Sequence, residues 1–236
     1  MREEKSRIAY ECNECGAQAL KWEGRCPSCG EWNTLNEVTK SSGKRSHGRL
    51  IFSGQSSQEL SDITTDDAAR LVLPMEETNR VLGGGLVKGS MILLGGDPGI
   101  GKSTLLLQLS AYIADKSHTV LYISGEESAQ QLKIRADRLG IYGEGLYILS
   151  ETDMESILNH MDIISPTLVI IDSIQSVGFQ DQPSGPGSIS QVRECGLAIL
   201  NWSKIRGITT IVTGHVTKDG NLAGPKSLEH MVDVVL

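Results

Sequence analysis

The sequence predicts an α/β fold with a mainly parallel sheet, preceded by a small N-terminal four-cysteine module, and three observations carry that expectation. From residue 66 onward, short apolar runs of strand length alternate with longer stretches of helical periodicity. A complete phosphate-loop signature, Gly96–Asp97–Pro98–Gly99–Ile100–Gly101–Lys102–Ser103, stands between one such run and one such helix. Two Cys-x-x-Cys pairs, Cys12/Cys15 and Cys26/Cys29, stand ahead of all of it.

The 236 residues have room for one large domain and a small module. A net charge of −7 argues against a general nucleic-acid coat, and the charge is uneven. The first 49 residues hold nine Lys/Arg against seven Asp/Glu, the remainder 13 against 22. Any nucleic-acid contact would therefore be local. No apolar run reaches the roughly 18 residues of a membrane span, and Met1–Arg2–Glu3–Glu4–Lys5 opens no apolar signal region. A cytoplasmic protein with no membrane partner is expected.

In the N-terminal module, ten residues separate Cys15 from Cys26. Two residues between paired thiolates let both sulfurs converge on one ion, and two such knuckles complete a tetrahedral zinc site. Four thiolate ligands leave no open position, so the expected Zn²⁺ is structural, and it would supply much of the stability that so small a module lacks. A disulfide pairing is disfavoured in a reducing compartment. Trp22 and Trp32 are the candidates to fill the ribbon's core, and Cys195 reads as a small buried hydrophobe. After the ribbon, the polar and basic stretch Thr39–Arg49 reads as a tether. The expected division is 1–38 zinc ribbon, 39–65 flexible linker and 66–236 nucleotide-binding core.

Within the core, strands are expected at Ser90–Leu94, Thr119–Ser124, Leu146–Leu149, Thr167–Ile171, Thr209–Thr213 and Val232–Leu236, and helices over 102–115, 127–139, 153–163 and 188–205. A strand, a glycine loop and a helix N-terminus make an anion site, because free N–H groups and the helix dipole both favour phosphate. Gly96, Asp97, Pro98, Gly99, Ile100, Gly101, Lys102, Ser103 and Thr104 are the candidate nucleotide-binding residues. Lys102 would reach the β- and γ-phosphates, and the Ser103 hydroxyl would ligate Mg²⁺.

Leu168–Val169–Ile170–Ile171–Asp172 is an apolar strand ending in an acid, the pattern of a Walker B element, which makes Asp172 the second Mg²⁺ candidate. The alternative for such a carboxylate is a helix cap. The run Val120–Ser124 leads into Gly125–Glu126–Glu127, and one of the two acids would orient the attacking water. Position alone does not choose between them: Glu126 is nearer the strand end, and Glu127 could open the next helix. His215, at the end of Val212–Thr213–Gly214, could report the γ-phosphate to the following loop, or be a loop histidine without a role.

These residues, with Arg80–Val81–Leu82–Gly83–Gly84–Gly85–Leu86, Ser124–Gly125–Glu126–Glu127–Ser128, Gly214–His215–Val216–Thr217–Lys218–Asp219–Gly220 and the closing run Leu222–Asp233, resemble the RadA (Sms) family of bacterial DNA repair and recombination proteins over essentially the whole chain. The resemblance implies a RecA-like P-loop ATPase core that uses ATP and Mg²⁺. It implies a homo-hexameric ring that acts on single-stranded DNA and promotes branch migration of recombination intermediates, alongside a recombinase or other repair proteins. On that likeness Glu126 falls at the position of the catalytic glutamate, joining Lys102 and His215 in the expected catalytic set. Residues 175–188 and 216–227 fall at the loops lining the central channel, with Lys218 and Lys226 as DNA-contact candidates.

One departure matters. The family carries a Lys-Asn-Arg-Phe-Gly motif and a Lon-protease-like domain after the core, and this sequence stops before either, inside an apparent strand. A C-terminally truncated chain that binds nucleotide and hydrolyses it poorly is the expectation. The competing readings are a KaiC-like nucleotide-gated signalling ATPase, which lacks a ribbon, and a non-catalytic assembly platform.

Overall fold

The computed structural model describes residues 7–12, 17–40, 57, 59–62, 70–182, 184–215 and 226–236. The N-terminal module is a three-stranded antiparallel sheet in the order β2-β1-β3, built from β1 (Arg7–Cys12), β2 (Gln18–Ala19) and β3 (Leu35–Lys40). Its core is Cys12, Cys26 and Leu35, closed by Tyr10, Ala17 and Ala19. The tryptophans do not fill it: Trp22 is 57 % and Trp32 68 % exposed, which corrects the sequence expectation. Backbone bonds from Cys26 N–H to Glu31 and from Asn33 N–H to Gly24 close the second knuckle, and the buried interior is taken by Cys12, Cys26 and Leu35. Trp32 instead lies beneath the Arg25 guanidinium, 5.9 Å from its ring centroid. Of the expected linker, residues 41–56, 58 and 63–65 lie outside the described residues; a 3₁₀ turn at Leu60–Asp62 is described.

A small hairpin, β4 (Arg70–Leu71) with β5 (Leu86–Val87), encloses α1 (Glu76–Val81). The Asn79 side chain fixes this segment by bonding both the N–H and the C=O of Leu73, at 2.9 and 2.8 Å. There follow β6 (Met91–Gly96), α2 (Lys102–Ala114), β7 (Val120–Ser124), α3 (Ala129–Arg138), β8 (Leu146–Ser150), α4 (Met154–Ile164), β9 (Leu168–Asp172), α5 (Ile189–Arg206), β10 (Thr209–His215), α6 (Lys226–Glu229) and β11 (Val234–Val235). The strands form one parallel sheet in the order β11-β6-β10-β9-β7-β8. Helices cover both faces, which is why the central strands are unbroken apolar runs and not alternating ones.

Two boundaries move for identifiable reasons. The helix expected from residue 127 begins at Ala129, because Ser128 and Gln131 form a reciprocal capping box that ends the strand-to-helix turn. The strand expected over Val232–Leu236 narrows to Val234–Val235. The amides of Met231 and Val232 turn back to Leu228, and the Asp233 carboxylate accepts from the Met91 N–H at 2.8 Å.

The period of two in the strands decides which residues face the loop helix. Val120 and Tyr122, Leu168 and Ile170, and Ile211 all pack in the core on the α2/α3 side. Leu121, Ile123, Val169, Ile171 and Val212 pack on the α4/α5 side. Asp172 and Thr213 continue the first phase, so both side chains leave the sheet on the side of α2. Register completes the arrangement: His215 lies opposite Gly96, Val212 opposite Ile171 and Ser124 opposite Asp172. β7 and β9 thus end together at Ser124 and Asp172, and β6 and β10 end together two residues further on, all at the carboxyl edge, where an open parallel sheet binds its ligands.

Candidate nucleotide site and metal centre

The loop after β6 turns on Gly99 and Gly101, with φ of 82° and 105°, a region that side chains with a Cβ seldom occupy. Gly101 is also the N-cap of α2 and offers no side chain to the first-turn N–H groups, which stay available to an anion. Lys102 is buried, and its ammonium donates to the carbonyls of Gly96 at 2.6 Å and Asp97 at 3.0 Å. Ser103 and Thr104, in the first turn of α2, are half-buried, while Asp97 to Gly101 are exposed. The loop fits a phosphate chain: glycine geometry, an uncapped helix start and a lysine folded over the mouth are present together.

Asp172 ends β9 with its carboxylate held at both oxygens. Tyr122 Oη donates to Oδ2 at 2.7 Å and Thr213 Oγ1 donates to Oδ1 at 2.7 Å. Tyr122 is fully buried, and that burial, followed by the Asp172 charge and the hydrogen bond, pushes its phenol well above the usual range. The hydroxyl is a permanent donor. Ser173, joined to Asp172 by a cis peptide bond, is buried as well. Its Oγ donates to Glu126 Oε1 at 2.7 Å, and its carbonyl accepts from Ser176 Oγ at 2.7 Å. His215 Nε2 lies 3.2 Å from the same Glu126 oxygen.

The two consecutive acids part company. Glu126 turns to Ser173 and His215 at the ends of β9 and β10. Glu127 pairs with Arg135 of α3, and its amide donates to Ser124 Oγ at 2.9 Å. Gly125, just before them, has no room for a side chain, since a Cβ there would sit 2.2 Å from Ser176 Oγ.

Downstream of Asp172 the expected channel loop is tied to α5. Gln191, almost completely buried, accepts from the Phe179 N–H at 2.9 Å and donates to the carbonyls of Phe179 at 2.9 Å and Ser184 at 2.8 Å. Lys226 opens the short helix α6. Lys218 lies outside the described residues, as does Cys15 of the ribbon. The sulfurs of Cys12, Cys26 and Cys29 converge within 4.8 Å of one another, and Thr34 Oγ1 lies 3.1 Å from Cys12 Sγ. Three converging thiols with a hydroxyl beside them fit a thiophilic metal, with Cys15 as the fourth ligand the spacing calls for. Among the described residues no helix is long and apolar enough to cross a membrane.

Sequence reasoning missed Tyr122, Thr213, Ser173 and Arg135. Tyr122 and Thr213 were legible only as strand residues. Their signal was a hydroxyl in an otherwise aliphatic run, in phase with the acid of the neighbouring strand.

A phosphate loop and strand-end acids on a parallel sheet define a P-loop ATPase fold, and the chain belongs to the AAA domain family, which matches residues 55–221. The rubredoxin metal binding domain matches residues 10–37. The chain is similar to DNA repair protein RadA of Bacillus subtilis strain 168, 50 % identical over 98 % of this chain and 52 % of that one. RadA of Listeria monocytogenes is 47 % identical over 100 % and 52 %, and RadA of Haemophilus influenzae 46 % over 98 % and 51 %. The resemblance read from the motifs thus holds across the chain, which spans about half the length of these relatives. A KaiC-like protein from Pyrococcus horikoshii OT3 shares the fold, with a TM-score of 0.58 at 22 % identity over 71 % of this chain and 80 % of that one.

Proposed function

We propose that the chain is the ribbon and motor portion of a DNA-repair ATPase, a ring translocase that uses ATP on single-stranded DNA and promotes branch migration of recombination intermediates. The observation that carries the ATPase reading is Glu126 Oε1, held by Ser173 beside Asp172 and approached by His215 on the next strand. A site that held nucleotide only as an anchor would have no use for an acid fixed in that place. Similarity to proteins named for DNA repair supports the choice of substrate.

In this reading Gly96–Thr104 cradle the phosphates, and Lys102 leaves the loop carbonyls for the β- and γ-phosphates. Ser103 and Asp172 hold Mg²⁺, which when bound neutralises charge on the phosphates. Glu126 orients the attacking water. Glu127, committed to Arg135, is the structural member of the pair. His215 couples the site to the 216–227 segment, where Lys218 and Lys226 would meet the DNA backbone. Cys12, Cys15, Cys26 and Cys29 hold a structural Zn²⁺. Residues 1–38, 39–65 and 66–236 act as ribbon, tether and motor, and the motor works as a homo-hexamer in the cytoplasm.

The test is ATP hydrolysis with and without single-stranded DNA, using Lys102→Ala as the blank. Stimulation by DNA supports the motor. Turnover that ignores DNA, in this chain and in the full-length protein, would favour a signalling ATPase or an assembly platform instead.

A further inference from the structure

We infer that Tyr122 is a positioning residue for metal binding: with Thr213 it locks the Asp172 carboxylate in one rotation about its Cβ–Cγ bond and so sets the site's demand for Mg²⁺. This rests on the nucleotide reading of the site. A carboxylate ending a strand at a sheet edge is free to turn, and each orientation presents different lone pairs to the loop. Here each oxygen has its own donor on a different neighbouring strand, Tyr122 on β7 for Oδ2 and Thr213 on β10 for Oδ1, both at 2.7 Å. With Asp172 between them, the three groups span adjacent strands in the order β10-β9-β7. The donors anchor from opposite sides, so neither alone fixes the plane and both together do.

Tyr122 is an unusual residue for a structural role alone. Its ring lies in the apolar core with Leu106, Leu107 and Leu132, where a phenylalanine would serve for packing. The hydroxyl adds a desolvation cost that only the bond to Asp172 offsets. With one donor on each oxygen, the lone pairs left over are those that Asp172 can offer to a metal. Hydrogen-bond partners of metal-holding carboxylates commonly change metal affinity by about 10- to 100-fold when removed.

The experiment is a Mg²⁺ titration of fluorescent ATP-analogue binding, repeated in EDTA, on the wild type, Tyr122→Phe and Thr213→Val. Binding needs no turnover and no ring. The expected result for Tyr122→Phe is a Mg²⁺ midpoint raised about tenfold, with affinity in EDTA unchanged. Thr213→Val should shift the midpoint in the same direction, and Thr213→Ser, which keeps a hydroxyl, should restore it; this pair decides the matter if Tyr122→Phe does not fold. A Mg²⁺ midpoint equal to wild type, with only a lowered melting temperature, overturns the inference and leaves Tyr122 a core residue. Wild-type binding that is indifferent to Mg²⁺ overturns this inference and leaves the nucleotide reading standing; absent binding overturns the nucleotide reading and this inference with it.

Discussion

Ser173 Oγ donates to Glu126 Oε1 at 2.7 Å, so the residue that follows Asp172 holds the acid that follows the neighbouring strand. The metal side and the water side of the candidate site are therefore one mechanical piece. Ser124 and Asp172 are register partners, and Gly125 N–H donates to the Asp172 carbonyl at 3.2 Å. A shift of β9 would carry Glu126 with it.

Substitution separates the two acids. Glu126→Gln should lower ATP turnover by at least about 100-fold, the contribution expected of a positioned base, with nucleotide affinity retained. Ser173→Ala should lower turnover by about tenfold, as a lost orienting bond of roughly 1.4 kcal/mol would. Glu127→Gln should cost stability and leave turnover nearer wild type. Single-turnover hydrolysis and urea denaturation on the same samples distinguish these outcomes, and equal turnover losses at 126 and 127 would remove Glu126 from its special place.

Gly125→Ala tests the fit between the two strand ends. The added methyl would meet Ser176 Oγ at 2.2 Å and Ser176 Cβ at 2.7 Å. Overpacking of this kind costs about 1–3 kcal/mol, and relief requires the turn at Ile174–Ser176 to move, taking Ser173 away from Glu126. Both the urea midpoint and the turnover should fall. Gly125→Ala/Ser176→Gly should regain most of the stability; a double variant no better than the single one would point to a backbone cause.

Much of this was legible in the sequence, because the fold rests on apolar runs and on a loop motif whose glycines have one physical use. Asp172, Glu126 and Lys102 could be found because each stands at a strand end or a helix start. Tyr122 and Thr213 could not. Their role depends on strand order, and nothing in a linear pattern says that β9 lies between β7 and β10. Position alone left Glu126 and Glu127 open for a similar reason, since what parts them in the fold is the pairing of Glu127 with Arg135, eight residues further on and in the next helix. The tryptophan error arose from treating a ribbon as a small hydrophobic core built on its largest side chains, whereas its interior is occupied by Cys12, Cys26 and Leu35.

Removal of metal should affect the ribbon and spare the motor. One Zn²⁺ per chain should be released by a thiol-modifying mercurial, and Cys26→Ser should abolish its binding, since Cys26 is buried at the meeting point of the thiols. Limited proteolysis after chelation should then cut within the first 40 or so residues, while the thermal transition of the motor is unchanged. Nucleotide binding lost on chelation would show instead that the ribbon supports the site.

Cys195 should be chemically silent in the folded protein. It lies fully buried in α5 with Sγ 3.8 Å from the Val177 carbonyl. Burial first, then the charges of Glu194 and Asp153, push its thiol from the usual 9.0 up to about 12. The folded state thus keeps a proton that the unfolded chain gives up near 9.0. The stability linked to this group is complete below that value and is lost as pH rises toward about 12. Two measurements follow from the sign. Iodoacetamide at pH 8 should leave Cys195 unmodified by mass spectrometry until urea is added, because the reactive thiolate is absent and the site closed. Between pH 8 and 10 the urea midpoint of the wild type should fall more steeply than that of Cys195→Ala, which has no thiol to titrate; parallel slopes would mean that unfolding in this range is driven by other groups.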